Sequence, residues 1–150
     1  KDRSLNLNRF KPIGETDSEY AFCLLLDYLK EKGIERLNPN NFQLLEKKIK
    51  EINKKGTLNC IFADGEHLFC YHDKNGYNSL HFIQRKTPYR KIILKDSDWE
   101  IDLKEEKTPE QKGFIIATSQ LTDEDWIKFE KGELIVFKNG EMIYSNHREI

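Results

Sequence analysis

The chain has 150 residues, enough for one domain with a real core. Lys plus Arg total 25 against 26 for Asp plus Glu, a near balance that leaves no electrostatic case for binding nucleic acid or an anionic membrane surface. The longest uncharged apolar run, residues 21–26, is far too short to cross a bilayer, and residues 1–8 lack a signal-peptide core, so a cytoplasmic location is the default expectation.

The first signal in chain order is Gly14-Glu15-Thr16-Asp17-Ser18-Glu19, ahead of the apolar residues 20–29. Thr16 and Glu19 have the spacing of a capping box. The Thr16 hydroxyl is expected to accept from the Glu19 backbone N–H, and the Glu19 carboxylate to reach back to the Thr16 N–H. Asp17 then falls in the first helical turn, is not needed as the cap, and is kept ionised by the helix dipole. An ionised carboxylate at a helix entrance suits an ammonium group; the plain alternative is that Asp17 only complements the dipole. The helix is predicted over residues 16–32 with Gly33 as its stop. Phe22, Leu25, Leu26 and Leu29 form its apolar face, with Asp27, Lys30 and Glu31 on the other. A second helix takes Asn38 as cap and Pro39 in its first position, runs to about residue 54 and ends at Gly56. It buries Phe42, Leu45, Ile49 and Ile52.

Everything after Gly56 reads as strand: residues 58–63, 66–72, 79–84, 90–94, 99–103, 114–119, 134–138 and 141–144, with a charged loop over 104–112. Asp64-Gly65 and Asn139-Gly140 are two-residue hairpin signals. The first would pair Ala63 with Glu66, Phe62 with His67, Cys60 with Phe69 and Asn59 with Cys70. Cys60 and Cys70 then point to opposite faces and do not bridge. Three cysteines is an odd number, and all are expected to be small buried hydrophobes. Leu58, Cys60 and Phe62 share one face, yet Ile61 and Ala63 on the other are apolar too. Residues 114–117 and 134–137 repeat this pattern, so these strands require cover on both sides. No repeat or linker divides the chain, and a single domain over residues 1–150 is expected.

Competing chemistry is poorly supported. Cys70 and His72, with His67 and His81 nearby, lack the spacing of a zinc site, so no metal is expected. Cys23 sits among apolar neighbours, where a thiol is inert, and Ser18 has no evident base. Phe69, Tyr71, Tyr77 and Phe82 could stack nucleic-acid bases, but the interleaved basic residues are too few; core packing explains the aromatics better. No cofactor is implied.

Residues 10–19, Phe-Lys-Pro-Ile-Gly-Glu-Thr-Asp-Ser-Glu, with Ala21-Phe22-Cys23, closely resemble the class II glutamine amidotransferases, in particular the small stand-alone bacterial and archaeal branch. Gly56-Thr57-Leu58-Asn59 with Ala63-Asp64-Gly65 is similar to that family's G-x-x-N … D-G hairpin. Residues 116–122 are similar to its I-A-T-x-P-L-T segment, and Trp126 with Gly132-Glu133-Leu134 and Val136-Phe137 to its ending. The resemblance implies an α+β fold of the N-terminal-nucleophile-hydrolase type, a layered helix–sheet–sheet–helix sandwich with antiparallel sheets. It implies glutaminase chemistry, with glutamine or a γ-glutamyl compound as the partner. Asp17 matches the family's receptor for the glutamine α-ammonium, with Thr16, Ser18 and Glu19 supporting it. Gln120 replaces the proline of the I-A-T-x-P-L-T segment, so no function is transferred there.

The family's nucleophile is an N-terminal cysteine whose own amine is the general base. This chain begins Lys1-Asp2-Arg3. The carboxylate-clamping arginine and the Asn-Gly oxyanion pair, upstream of the motif in the family, also have no match. The expectation is therefore the C-terminal portion of an amidotransferase domain, with no catalytic residue of its own and inactive alone. Apolar strand faces left bare would favour an N-terminal fragment as partner, or self-association. A non-catalytic scaffold of the same fold and one half of a split enzyme are the alternatives.

Overall fold

A computed structural model describes residues 6–95 and 100–150. Lys1, Asp2 and Arg3, and Trp99 in the expected fifth strand, lie outside the described residues. The helices come first: α1 (Asp17–Glu31) and α2 (Phe42–Asn53). Then follow β1 (Cys60–Ala63), β2 (Leu68–Tyr71), β3 (His81–Arg85), β4 (Lys91–Ile93) and β5 (Glu100–Asp102). A four-residue helix, α3 (Leu103–Glu106), opens the segment expected to be loop. The chain ends with β6 (Gly113–Ala117), β7 (Ile127–Lys128), β8 (Leu134–Lys138) and β9 (Glu141–Ser145). The two residues of β7 have no alternation to betray them and form a strand only by pairing with β3.

Helix α1 stops where expected. Gly33 takes a left-handed φ of +66°, and the Ile34 N–H turns back to the Leu29 carbonyl at 2.9 Å. The expected division of its faces needs correction. Phe22 is 45% exposed, whereas Cys23, Leu24 and Leu25 are buried and so is Asp27. A charged side chain lies inward because it has partners: Asp27 accepts the backbone N–H groups of Asn8, Arg9 and Phe10 at 2.6, 2.9 and 3.1 Å. Burial pushes its carboxyl up, but those three bonds outweigh burial and hold it below the usual carboxylate value.

The start of α2 is also corrected. Asn41, not Asn38, is the residue before the first helical position, and Pro39 lies in the preceding turn. Asn38 and Asn41 brace that turn: the Asn38 N–H donates to Asn41 Oδ1 at 2.9 Å, and the Asn40 N–H to Asn38 Oδ1 at 3.0 Å. Phe42, Leu45, Ile49 and Ile52 are buried as their spacing requires.

The strands form antiparallel sheets. One has the order β1-β2-β8-β9, a second β6-β3-β7, and a third pairs β4 with β5. Phe69, Tyr71, Leu134 and Val136 face the helices and pack with Leu24, Leu25, Phe42, Leu45 and Ile49. Cys70, Ile135 and Phe137 face the other way and meet Leu80, Phe82 and Phe129 around the second sheet. Of the strands expected to need cover on both faces, β8 has it, as does its neighbour β2, whereas β6 is only half-buried along its length. Double cover does not hold for β1 among the described residues: Ile61 is 50% exposed and Ala63 is exposed, because β1 ends the four-stranded sheet beyond the reach of the second one.

The Asn139-Gly140 turn is as expected, with both residues at positive φ and Lys138 facing Glu141. The Asp64-Gly65 hairpin is not a two-residue turn. Phe62 pairs with Phe69 and Cys60 with Tyr71, a register displaced by two residues. The reason is local. Asp64 Oδ1 accepts from the N–H groups of Glu66 and His67 at 2.9 and 2.7 Å, so its side chain closes a longer loop. A slip of two preserves the faces. Cys70 lies opposite Ile61 rather than Asn59, and the three cysteines are free thiols.

Candidate functional site

The entrance to α1 is built from its own side chains. Thr16 is extended, and its hydroxyl accepts the Glu19 N–H at 3.3 Å, as capping requires. The second arm of the expected box is different. The Glu19 carboxylate accepts the N–H groups of Ile13 and Gly14, at 2.8 and 2.9 Å, rather than that of Thr16. It thereby folds the incoming chain back onto the first helical turn. A Cβ at Gly14 would stand 3.0 Å from Glu19 Oε2, so a larger residue there would push the carboxylate aside. Ser18 donates its hydroxyl to Thr16 Oγ1 at 3.3 Å. Asp27 and Glu19 together hold residues 8–14 alongside the helix.

Thr16, Asp17 and Ser18 line one side of a cleft of about 510 Å³. Asp17 is half-buried in the first turn, where the N-terminal end of the helix dipole favours its charge. The facing walls come from the connection between α2 and β1, with Lys55, Thr57 and Asn59, and from Tyr77, Asn78 and Thr118. The sequence pattern flagged Asn59 only as part of a motif and gave no sign that Tyr77, Asn78 or Thr118 would meet the start of α1. Tyr77 is 52% exposed, so core packing accounts for Phe69, Tyr71 and Phe82 but not for it.

Behind these walls lies a buried polar network. Asp73 is fully buried and accepts from Asn53 Nδ2 at 2.6 Å and from the N–H groups of Leu58, Asn75 and Tyr77 at 2.9, 2.7 and 3.4 Å. Burial raises its carboxyl, but these bonds prevail and keep it below its ordinary value. Asn53, also fully buried, accepts from the Tyr71 hydroxyl and the Lys74 N–H, both at 2.8 Å.

The remaining chemistry-bearing side chains do not converge. His67 pairs with Asp64 at 3.0 Å and packs on Phe42, on the helix side of the sheet. Cys70 lies in the core between the sheets, and His72 Nδ1 meets the Glu130 carbonyl at 3.0 Å. Among the described residues no three His, Cys, Asp or Glu side chains are grouped to hold a metal ion. Burial pushes the Cys60 and Cys70 thiols up to about 12, and burial with the Glu19 and Asp27 charges raises Cys23, so none is primed as a nucleophile. Gln120, where the resembling family has proline, accepts from Lys95 Nζ at 2.7 Å. Glu133 of the Gly-Glu-Leu ending is fully buried against Arg148 at 2.6 Å and is structural.

Residues 1–150 match the profile of the class II glutamine amidotransferases. The chain belongs to that family. An uncharacterised protein of Methanocaldococcus jannaschii is 52% identical to this amidotransferase-family chain over 144 residues, covering 96% of the chain and 40% of the relative. YafJ of Escherichia coli, provisionally named a glutamine amidotransferase, is 36% identical over 146 residues, covering 94% of the chain and 55% of the relative. A crystal structure of a predicted glutamine amidotransferase from Pseudomonas aeruginosa superposes with a TM-score of 0.72 at 32% identity, covering 93% of the chain and 57% of that one. The amidotransferase-family chain thus spans about half the length of the relatives it matches. No described helix is long and apolar enough to cross a membrane.

Proposed function

We propose that the chain supplies the substrate-ammonium receptor of a glutaminase. Asp17 carries the reading: a carboxylate in the first turn of α1 that lines a cleft wide enough for an amino acid. In this reading the glutamine α-ammonium binds Asp17. The helix dipole favours the carboxylate's charge, and Thr16, Ser18 and Glu19 fix its position by holding the turn. The family's chemistry then follows on a nucleophile outside the described residues. A cysteine thiolate attacks the side-chain amide carbon, the C–N bond breaks, and the nitrogen leaves as ammonia once it has received the cysteine's proton. The resulting γ-glutamyl thioester is opened by water to give glutamate and the free thiol.

The family's N-terminal-nucleophile sandwich is the fold this reading requires. The packing of both long helices on one sheet, with a second sheet behind it, supports this reading. The whole chain as one folding unit, and free thiols suited to a reducing cytoplasm, belong to the same proposal.

The test is glutaminase kinetics on the intact protein carrying Asp17→Asn. The expected loss in kcat/KM corresponds to roughly 2–4 kcal/mol, because a desolvated ammonium is left without its counter-charge. A near-normal kcat/KM in a folded variant would remove Asp17 from the site.

A further inference from the structure

One wall of the Asp17 cleft is held in an unfavourable backbone conformation. Asn78 and Ser79 follow one another at φ of +49° and +26°, in the left-handed region that side chains other than glycine rarely adopt. Such a pair persists only where its surroundings over-determine it. Here they do. The carboxamide of Asn59 uses both ends: Oδ1 accepts from the Asp73 N–H at 2.8 Å, and Nδ2 donates to the Tyr77 carbonyl at 2.8 Å and the Asn78 carbonyl at 3.4 Å. The Asp73 carboxylate meanwhile holds the Tyr77 N–H on one side and the Leu58 N–H, beside Asn59, on the other. The turn is thus clamped to the start of β1 through Asn59 and Asp73. Nothing in the hydrophobic core requires that clamp, since Tyr77 and Asn78 are exposed and face the cleft.

We infer that Asn59 is a positioning residue for substrate selection: it sets the Tyr77–Asn78 wall at the distance from Asp17 that fits a glutamine side chain. This rests on Asp17 as the ammonium receptor. With one end of the amino acid pinned there, the depth of the remaining cleft decides which side chain fits. Replacing Asn59 by serine removes the double donation to Tyr77 and Asn78 and frees the strained turn. A displaced wall alters fit before it alters bond-breaking, so the effect falls on KM and on the preference for glutamine over asparagine, which differ by one methylene.

Asn59→Ser in the intact protein is expected to raise the KM for glutamine about tenfold, with kcat changed by less than about twofold, and to cut the glutamine-to-asparagine ratio of kcat/KM by about tenfold. Adding Ser79→Gly, which adopts positive φ without strain, should recover part of both losses. A folded Asn59→Ser protein with unchanged KM and selectivity would overturn the inference, as would a fall in kcat alone. Should the variant fail to fold, the wild type decides by NMR. Glutamine should shift the Tyr77 and Asn78 amide resonances together with that of Asp17, and a shift at Asp17 alone overturns the role of the wall. A wild type without glutaminase activity removes the function and this inference with it. An active wild type with an indifferent Asn59 variant removes the inference only.

Discussion

The two sides of the Asp17 cleft are built in opposite ways. The α1 entrance is held by bonds that span few residues and lie at the surface: Thr16 to Glu19, Ser18 to Thr16, Glu19 to Ile13 and Gly14. The facing turn is tied to α2 and to the start of β1 by bonds across 20 and 15 residues that meet on the Asp73 carboxylate, which has no exposure to solvent. The first arrangement is adjustable, because water can replace any lost partner. The second is rigid, because a lost partner leaves a buried group unsatisfied. The cleft thus combines one fixed wall with one solvated wall.

The largest test of this contrast is Asp73→Ala. It strands the N–H groups of Leu58, Asn75 and Tyr77 and the Asn53 amide, and should cost about 3 kcal/mol or more in urea unfolding. A loss below about 1 kcal/mol would mean that water already serves those donors. Acid comes next. Asp73, Asp27 and Asp64 all have carboxyls held below their ordinary value in the fold. A depressed folded value stabilises the fold above the unfolded carboxyl pKa of about 3.9, and that stability is lost as the pH falls below it. Urea midpoints should therefore be flat from neutrality to about pH 5 and fall steeply below about pH 4, and Asp73→Asn should make the acid limb shallower. An unchanged limb would locate the sensitivity in other carboxylates. Smallest is Thr16→Ala. Losing one exposed cap should cost about 1 kcal/mol, with the Asp73 network undisturbed. Equal costs for Thr16→Ala and Asp73→Ala would erase the distinction between the walls.

Legibility followed the same divide. Thr16 as cap, Gly33 as stop and the Phe42, Leu45, Ile49, Ile52 stripe could be read because each depends on neighbours within a turn or two. Asp27 could not. Its helical period gave it to solvent, and only the return of residues 8–10 made burial affordable. The Asp64-Gly65 register failed for a related reason, since one side chain closing onto the Glu66 and His67 N–H groups outweighed the turn preference of the dipeptide. At the site, Asp17 was visible as a carboxylate in the first turn of a helix. Tyr77, Asn78 and Thr118 were not, because they reach the cleft from distant strands and loops.

The amino-acid order by itself determined the two helices, the strand-rich remainder, the Asn139-Gly140 turn and the motifs that mark a class II glutamine amidotransferase. Those features rest on propensity, period and local hydrogen bonds, which act over short spans of chain. Only the tertiary structure decided which acids are buried, where the hairpin register lies and what faces Asp17. Each of these depends on a donor or a surface brought from far along the chain, and the free energy of a buried charge or a strained turn is set by those partners rather than by the residue that bears it.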